Sequence, residues 1–174
     1  DKYGCSHNAV GTALKSRSVV LHDNSSCQRK YTLDESAFSV QTPESDYWCG
    51  FIAADGCVYK HTLSVGLSEV DVGHLEKLRA FLGTDRPLTR YGNGVGLQIN
   101  SYKIVECLVA MGIHSRKSHT FSPSNQHTGS SDFWRGVIDG DGYLSRGKGK
   151  YRLELCGSYS CMEAFLSWCK KHTN

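Results

Sequence analysis

A nine-residue stretch, WCGFIAADG from Trp48 to Gly56, returns as WRGVIDGDG from Trp134 to Gly142, an offset of 86 positions. The match runs past its ends at the same offset, pairing Asp46 with Asp132, Tyr47 with Phe133 and Val58 with Leu144. A chain that repeats one element at a fixed offset folds as two related halves, so the nature of that element decides how the halves meet.

The stretch reads as a helix. Thr42 can cap it, Pro43 suits the first helical position, and Gly56 suits its stop. The second copy has Thr128, Ser130 and Ser131 available upstream. Gly50 and Ala54 stand four apart, as do Gly136 and Gly140, so each helix carries a flat stripe on one face. Interior glycine costs about 1 kcal/mol in a helix relative to alanine, and close approach of two backbones is what offsets it. The two helices are expected to pack on each other.

Each copy ends in an acid before glycine, Asp55 or Asp141. A helix C-terminus already carries partial negative charge and free carbonyls, so a carboxylate there is unfavourable without a cation. Taken singly, either aspartate is as well explained as a solvated residue before a glycine cap. Two such ends brought together make an oxygen-rich site suited to Mg²⁺.

At these residues the sequence resembles the LAGLIDADG homing endonucleases of the two-motif, single-chain type. The resemblance implies a site-specific double-strand DNA endonuclease that hydrolyses phosphodiesters at a long target, across the minor groove, leaving 3′ overhangs. It implies Asp55 and Asp141 as catalytic residues and ligands of two or more divalent cations, Mg²⁺ with Ca²⁺ or Mn²⁺ as substitutes. The carbonyls of Ala54 and Gly140 would be further ligands, and Lys117 stands where the family often carries a lysine that assists catalysis; a surface or phosphate-contacting residue accounts for it equally well. An RNA maturase or a DNA-binding regulator without cleavage is the alternative. A regulator would be expected to lose motif acids, and both are present; a maturase can keep them. Asp139 is matched by Ala53, and Glu69 and Asp71 are ordinary helix-start acids, so none of these three is assigned to catalysis.

The composition suits an ordinary globular chain, 39% hydrophobic and 21% charged. With a net charge of only +3, a nucleic-acid surface must be a local concentration of Lys and Arg. The eight cysteines form no framework and include no CxxC, which suits reduced thiols in an intracellular protein of a bacterial or phage cytoplasm or an organelle. Cys5, His7, His22 and Cys27 can be written as zinc ligands, but their spacing fits no common zinc pattern. No apolar run has membrane length and no signal peptide is present, so no membrane is expected.

Residues 1–40 read as part of a helix-turn-helix module and its connector, 41–113 as the first half, 114–129 as a polar Ser- and His-rich linker, and 130–174 as an incomplete second half. The first half reads αββαββα: the motif helix, a hairpin from Cys57 to Ser68, a helix from Val72 to Leu82, strands near Leu88–Tyr91 and Val95–Asn100, and a helix from Lys103 to Met111. The second half restarts with the motif helix, then a hairpin from Gly142 to Gly157 and a helix from about Ser160. Leu63, Val65, Ser68, Leu75 and Leu78 find partners in Leu153, Leu155, Ser158, Phe165 and Trp168 at an offset of 90, so the second hairpin is four residues longer. Nothing matches Thr84 to Ile113 there. The chain looks like a fragment of a longer protein, a pseudo-symmetric monomer completed by a C-terminal segment or another chain.

The expected fold class is therefore α+β, a pseudo-twofold repeat of αββαββα units whose antiparallel sheets form a saddle for double-stranded DNA, with the second repeat truncated. The open sheet faces are expected to present Tyr59, His61, Thr89, Tyr91, Gln98 and Asn100 in the first half, and Tyr143, Ser145, Arg146, Lys148, Lys150 and Arg152 in the second. Such side chains read base edges and neutralise phosphates. Lys15, Arg17, Arg29, Lys30, Arg90 and Arg116 join them as expected DNA contacts.

Overall fold

The structure, a computed structural model, describes residue 4 and residues 6–19, 29–147 and 149–172. Cys5, His22, Cys27 and Lys148 lie outside the described residues, as does the side chain of His7, so neither the zinc quartet nor one of the expected DNA contacts is placed. The chain divides into two units, Asp1–Thr32 and Leu33–Asn174.

In the first unit, α1 spans His7–Ser16, and the Ser6 hydroxyl caps it by accepting from the Ala9 amide at 3.3 Å. Lys15 and Arg17 lie exposed at its C-terminal end.

The second unit is organised around the two motif helices, α2 (Pro43–Asp55) and, later in the chain, Ser131–Asp141. Thr42 and Ser45 close a reciprocal capping box on α2, with amide-to-hydroxyl distances of 3.0 and 2.8 Å, and Pro43 opens the helix. Every residue of α2 from Ser45 to Ala53 is buried. A helix apolar or small on all sides belongs in the middle of a domain.

From α2 the chain passes directly into the hairpin β1 (Gly56–Tyr59) and β2 (Thr62–Ser68), then through a 3₁₀ turn into α3 (Val72–Phe81). Strands β3 (Thr89–Tyr91) and β4 (Gly94–Asn100) follow, then α4 (Tyr102–Ala110). The sheet is antiparallel throughout, in the order β1-β2-β4-β3. Its period-two pattern puts Leu63, Val65, Val95, Leu97 and Ile99 on the covered face, where Leu75 and Leu78 of α3 and Ile104 and Leu108 of α4 complete the core. The expected αββαββα order is the observed one.

Residues 33–40, expected as connector, pack on this half: Phe38 is buried edge-on to Phe81 at 5.2 Å, and the Asp34 amide donates to the Leu82 carbonyl at 2.9 Å. The stretch 114–129 contains a 3₁₀ turn (Lys117–His119) and the short helix α5 (Asn125–Thr128), and it buries Lys117, Phe121 and His127. A bare linker it is not.

The second motif helix, α6 (Ser131–Asp141), is capped by Ser130, whose hydroxyl accepts from the Phe133 amide at 3.3 Å. It leads into β5 (Gly142–Gly147), β6 (Lys150–Leu155) and α7 (Tyr159–His172). Gly142 pairs with Leu155 and Leu144 with Leu153, as Gly56 pairs with Val65 and Val58 with Leu63. The register thus reproduces both offsets read from the sequence. Ser158 caps α7, accepting from the Cys161 amide at 3.2 Å. Each motif tryptophan packs on the helix after its own hairpin: Trp48 lies 6.2 Å from Phe81, and Trp134 lies 5.2 Å from Phe165. The architecture is α+β with antiparallel sheets.

Candidate active site

Helices α2 and α6 meet backbone to backbone. A Cβ on Gly50 would run into the Phe133 carbonyl, and one on Gly136 would run into the Tyr47 carbonyl and stand 2.7 Å from the Phe51 nitrogen. A Cβ on Gly140 would collide with that of Ala54 and reach within 3.4 Å of Asp55 Oδ2. The small residues read from the sequence are therefore the contact itself, and they decide where the helix ends fall.

Those ends bring Asp55 and Asp141 together. Partial burial raises the Asp55 carboxyl above the usual range, the neighbouring Asp141 charge adds to this, and Lys117 opposes it. Burial likewise raises Asp141, again opposed by Lys117. Lys117 is buried, and its Nζ donates to the Ala54 carbonyl at 3.0 Å. Desolvation holds its ammonium below the usual lysine value, and Asp141, Cys57 and Asp55 pull it back up. Arg116 makes this placement possible: at φ 60° and ψ 32° it turns the chain so that Lys117 enters the cleft and Arg116 remains in solvent. A cavity of about 360 Å³ opens beside Asp141, lined by Ala54, Lys117, His119, Cys156 and Ser158 among others.

Of the four expected cation-holding positions, Asp55, Asp141, Ala54 and Gly140, the first three meet around the Lys117 ammonium, and Gly140 lies against Ala54 and Asp55. Among the described residues no three His, Cys, Asp or Glu side chains gather to hold a metal, so any cation here depends on two carboxylates and on backbone oxygen.

The open faces carry most of the expected nucleic-acid residues. Tyr59 stands beside Thr62 and Asn100, and Gln98 beside Ser64, all on the uncovered side of the first sheet. Tyr91 lies across Gly66, Gly94 and Gly96, whose missing side chains make room for its ring. His61 sits in the β1–β2 turn with its ring 5.0 Å from Tyr102. Arg90 pairs with Val95, which places it on the other face, and it is ion-paired to Glu69. In the second hairpin Tyr143, Ser145, Lys150 and Arg152 share one face. Arg146 falls on the opposite one with Leu144 and Leu153, its guanidinium 5.5 Å over the Tyr151 ring. In the first unit Lys30 lies 5.3 Å over Tyr31, and Arg29 is partly buried.

The stretch 114–129 is held in place by a buried polar group that no local sequence pattern announces. His127 is 2% exposed, and its Nδ1 lies 3.0 Å from Asp46 Oδ1. Gln41 donates to both oxygens of that carboxylate, at 3.1 and 2.9 Å. Asp46 was legible only as a repeated position, and its twin Asp132 instead pairs with Arg135 at 3.1 Å.

No protein-family model matches the sequence, and no curated protein matches it significantly. Among solved structures, the chain is similar to the LAGLIDADG meganuclease I-CpaMI bound to uncleaved DNA, at 12% identity and a TM-score of 0.45, over 78% of this chain and 76% of that one. It is similar to the homing endonuclease I-DmoI in complex with its target DNA in the presence of manganese, at 13% identity and a TM-score of 0.43, over 79% and 76% of the two chains. Mesophilic variants of I-DmoI match at 13% identity and a TM-score of 0.43, over 80% and 79%.

Proposed function

We propose that the chain is a divalent-metal-dependent DNA endonuclease of the homing type, cutting both strands of a long duplex site at the centre of its two sheets. The observation that carries this reading is the convergence of Asp55 and Asp141 at the ends of two glycine-packed helices, with the buried Lys117 between them.

The donor set fits a hard divalent cation. Two carboxylates and the free carbonyls of helix ends are oxygen ligands of the kind Mg²⁺ and Mn²⁺ take, and partial burial raises both carboxyls above their usual range, an effect a bound cation would oppose. The lysine ammonium drawn to the Ala54 carbonyl marks the same preference for positive charge. Asp55 and Asp141 would hold the cations, with Gly140 and Ala54 offering backbone oxygen. Bound cations would supply Lewis-acid stabilisation of charge on the phosphate and a lowered pKa for the attacking water.

The chain's own residues do the rest. The glycine contact sets the spacing of the two carboxylates, one for each strand. Lys117 presents positive charge to the scissile phosphate and stands ready to give a proton to the departing oxygen. The open faces bearing Tyr59, Tyr91, Gln98 and Asn100 on one side and Tyr143, Lys150 and Arg152 on the other lie along the duplex, reading base edges and phosphates. Among the described residues the second sheet has two strands where the first has four.

Incubating the protein with duplex DNA spanning the uninterrupted insertion site of its own gene tests the reading. Cleavage at one position with Mg²⁺ and none with chelator supports it. Binding to that DNA without cleavage under any divalent cation would favour a regulator.

A further inference from the structure

On the side of α2 that the active site does not use, the Cys49 thiol has two further soft donors beside it, Met111 and His127. Cys49 is 1% exposed, its Sγ lies 3.4 Å from Met111 Sδ at the end of α4, and it lies 3.9 Å from His127 Nε2 on α5. The imidazole is oriented for ligation. A carboxylate only accepts, so the short contact to Asp46 puts a ring proton on Nδ1, and the neutral form of that ring has its lone pair on Nε2, the nitrogen beside the thiol. This is the arrangement by which proteins hold a ligating histidine, with the outer nitrogen donating to a carboxylate. Gln41 in turn fixes that carboxylate through both its oxygens.

We infer that Cys49, Met111 and His127 form a buried binding site for a soft monovalent cation of the Cu(I) class. Metal–sulfur bonds of about 2.3 Å and metal–nitrogen bonds of about 2.0 Å put trigonal donors roughly 3.7–4.0 Å apart, so the Cys49–His127 separation of 3.9 Å already suits a shared ion and the two sulfurs, at 3.4 Å, would part by about 0.6 Å. Thiolate, thioether and imidazole together select Cu(I) over hard cations and over Zn²⁺, for which a thioether is a poor ligand. Charge points the same way. Burial and the nearby Asp46 charge raise the Cys49 thiol well above its usual range, so a bare thiolate is disfavoured there. When Cu(I) binds, the S–H bond breaks, an S–Cu bond forms and the proton leaves to solvent, giving a neutral thiolate–cation pair with no change of oxidation state. Met111, only partly buried, provides the way in. The bound ion would tie α2, the end of α4 and the Lys117-bearing segment together.

The test is anaerobic titration of the reduced full-length chain with Cu(I) against a chromogenic Cu(I) chelator, with X-ray absorption on the one-equivalent sample. The expected result is one tight equivalent with two sulfur ligands and one nitrogen ligand. Met111→Leu, a volume-conserving change that removes no thiol, should weaken it by about tenfold or more while the Tm of the metal-free protein holds. Cys49→Ser should lose it, and Cys107→Ser should leave it unchanged. A first equivalent held equally well by Met111→Leu and Cys49→Ser, or one with sulfur ligands alone, would place the metal on other thiols and overturn the inference. So would tight Zn²⁺ binding at these residues without Cu(I) binding.

Discussion

Lys117 Nζ donates a 3.0 Å hydrogen bond to the main-chain carbonyl of Ala54, so a residue from the segment between the halves is fastened to the last turn of the first motif helix. That one contact links the segment to the carboxylate pair, since Lys117 feels both Asp55 and Asp141.

Replacing Lys117 by Met removes the ammonium this segment brings to the carboxylate pair while keeping an apolar stem of similar length. Cleavage in a single-turnover assay should fall by about 10²-fold or more, the range for loss of a positioned proton donor. DNA affinity measured by gel shift in Ca²⁺ should change little.

The glycine contact gives opposite expectations at two positions. Gly136→Ala forces a Cβ against the Tyr47 carbonyl and the Phe51 nitrogen, backbone atoms that cannot swing away, and should cost about 1–3 kcal/mol in chemical denaturation. Gly73→Ala, in α3 with nothing within 4 Å of the new Cβ, should be neutral or stabilise by up to about 1 kcal/mol.

Both motif carboxyls have raised values in the folded chain. A group whose folded pKa lies above its unfolded value contributes stability below the unfolded pKa and loses it as pH rises through the folded one. The metal-free protein should therefore be destabilised by the pair at neutral pH. Asp55→Asn and Asp141→Asn should each raise its Tm at pH 7, with the advantage disappearing near pH 4. Added Mg²⁺ should raise the Tm of the unmodified protein and not of the variants. Differential scanning calorimetry across pH reads all three effects.

Face assignment in the second hairpin is tested by salt. Arg152→Ala and Lys150→Ala should each lower the slope of log affinity against log salt by about 0.9 if each side chain neutralises one phosphate. Arg146→Ala, on the face shared with Leu144 and Leu153, should leave the slope unchanged.

Much of this organisation was legible in the sequence because it rests on periodicity and on small residues. Gly50, Gly136 and Gly140 announce close approach, and alternation along Leu63, Val65 and Leu67 announces a half-buried strand. The change of offset from 86 to 90 reappears in the strand register through Gly142 and Leu155. What escaped was long-range and polar. The 114–129 stretch has the composition of a solvated linker, yet it buries Lys117, Phe121 and His127, because partners such as Asp46, 81 positions away, satisfy them. No local pattern encodes such a pairing. Arg146 was misplaced for a simpler reason: it follows Ser145, and adjacent strand residues face opposite ways. Arg90, expected as a DNA contact, likewise points to the face opposite Thr89 and Tyr91.

The most direct measurement of the central claim is Mg²⁺-dependent cleavage of the target duplex by Asp55→Asn and Asp141→Asn beside the unmodified chain, with each strand end-labelled. The account expects a specific double-strand break from the unmodified chain and none from either variant. Specific Mg²⁺-dependent double-strand cleavage that persists in both variants would contradict it.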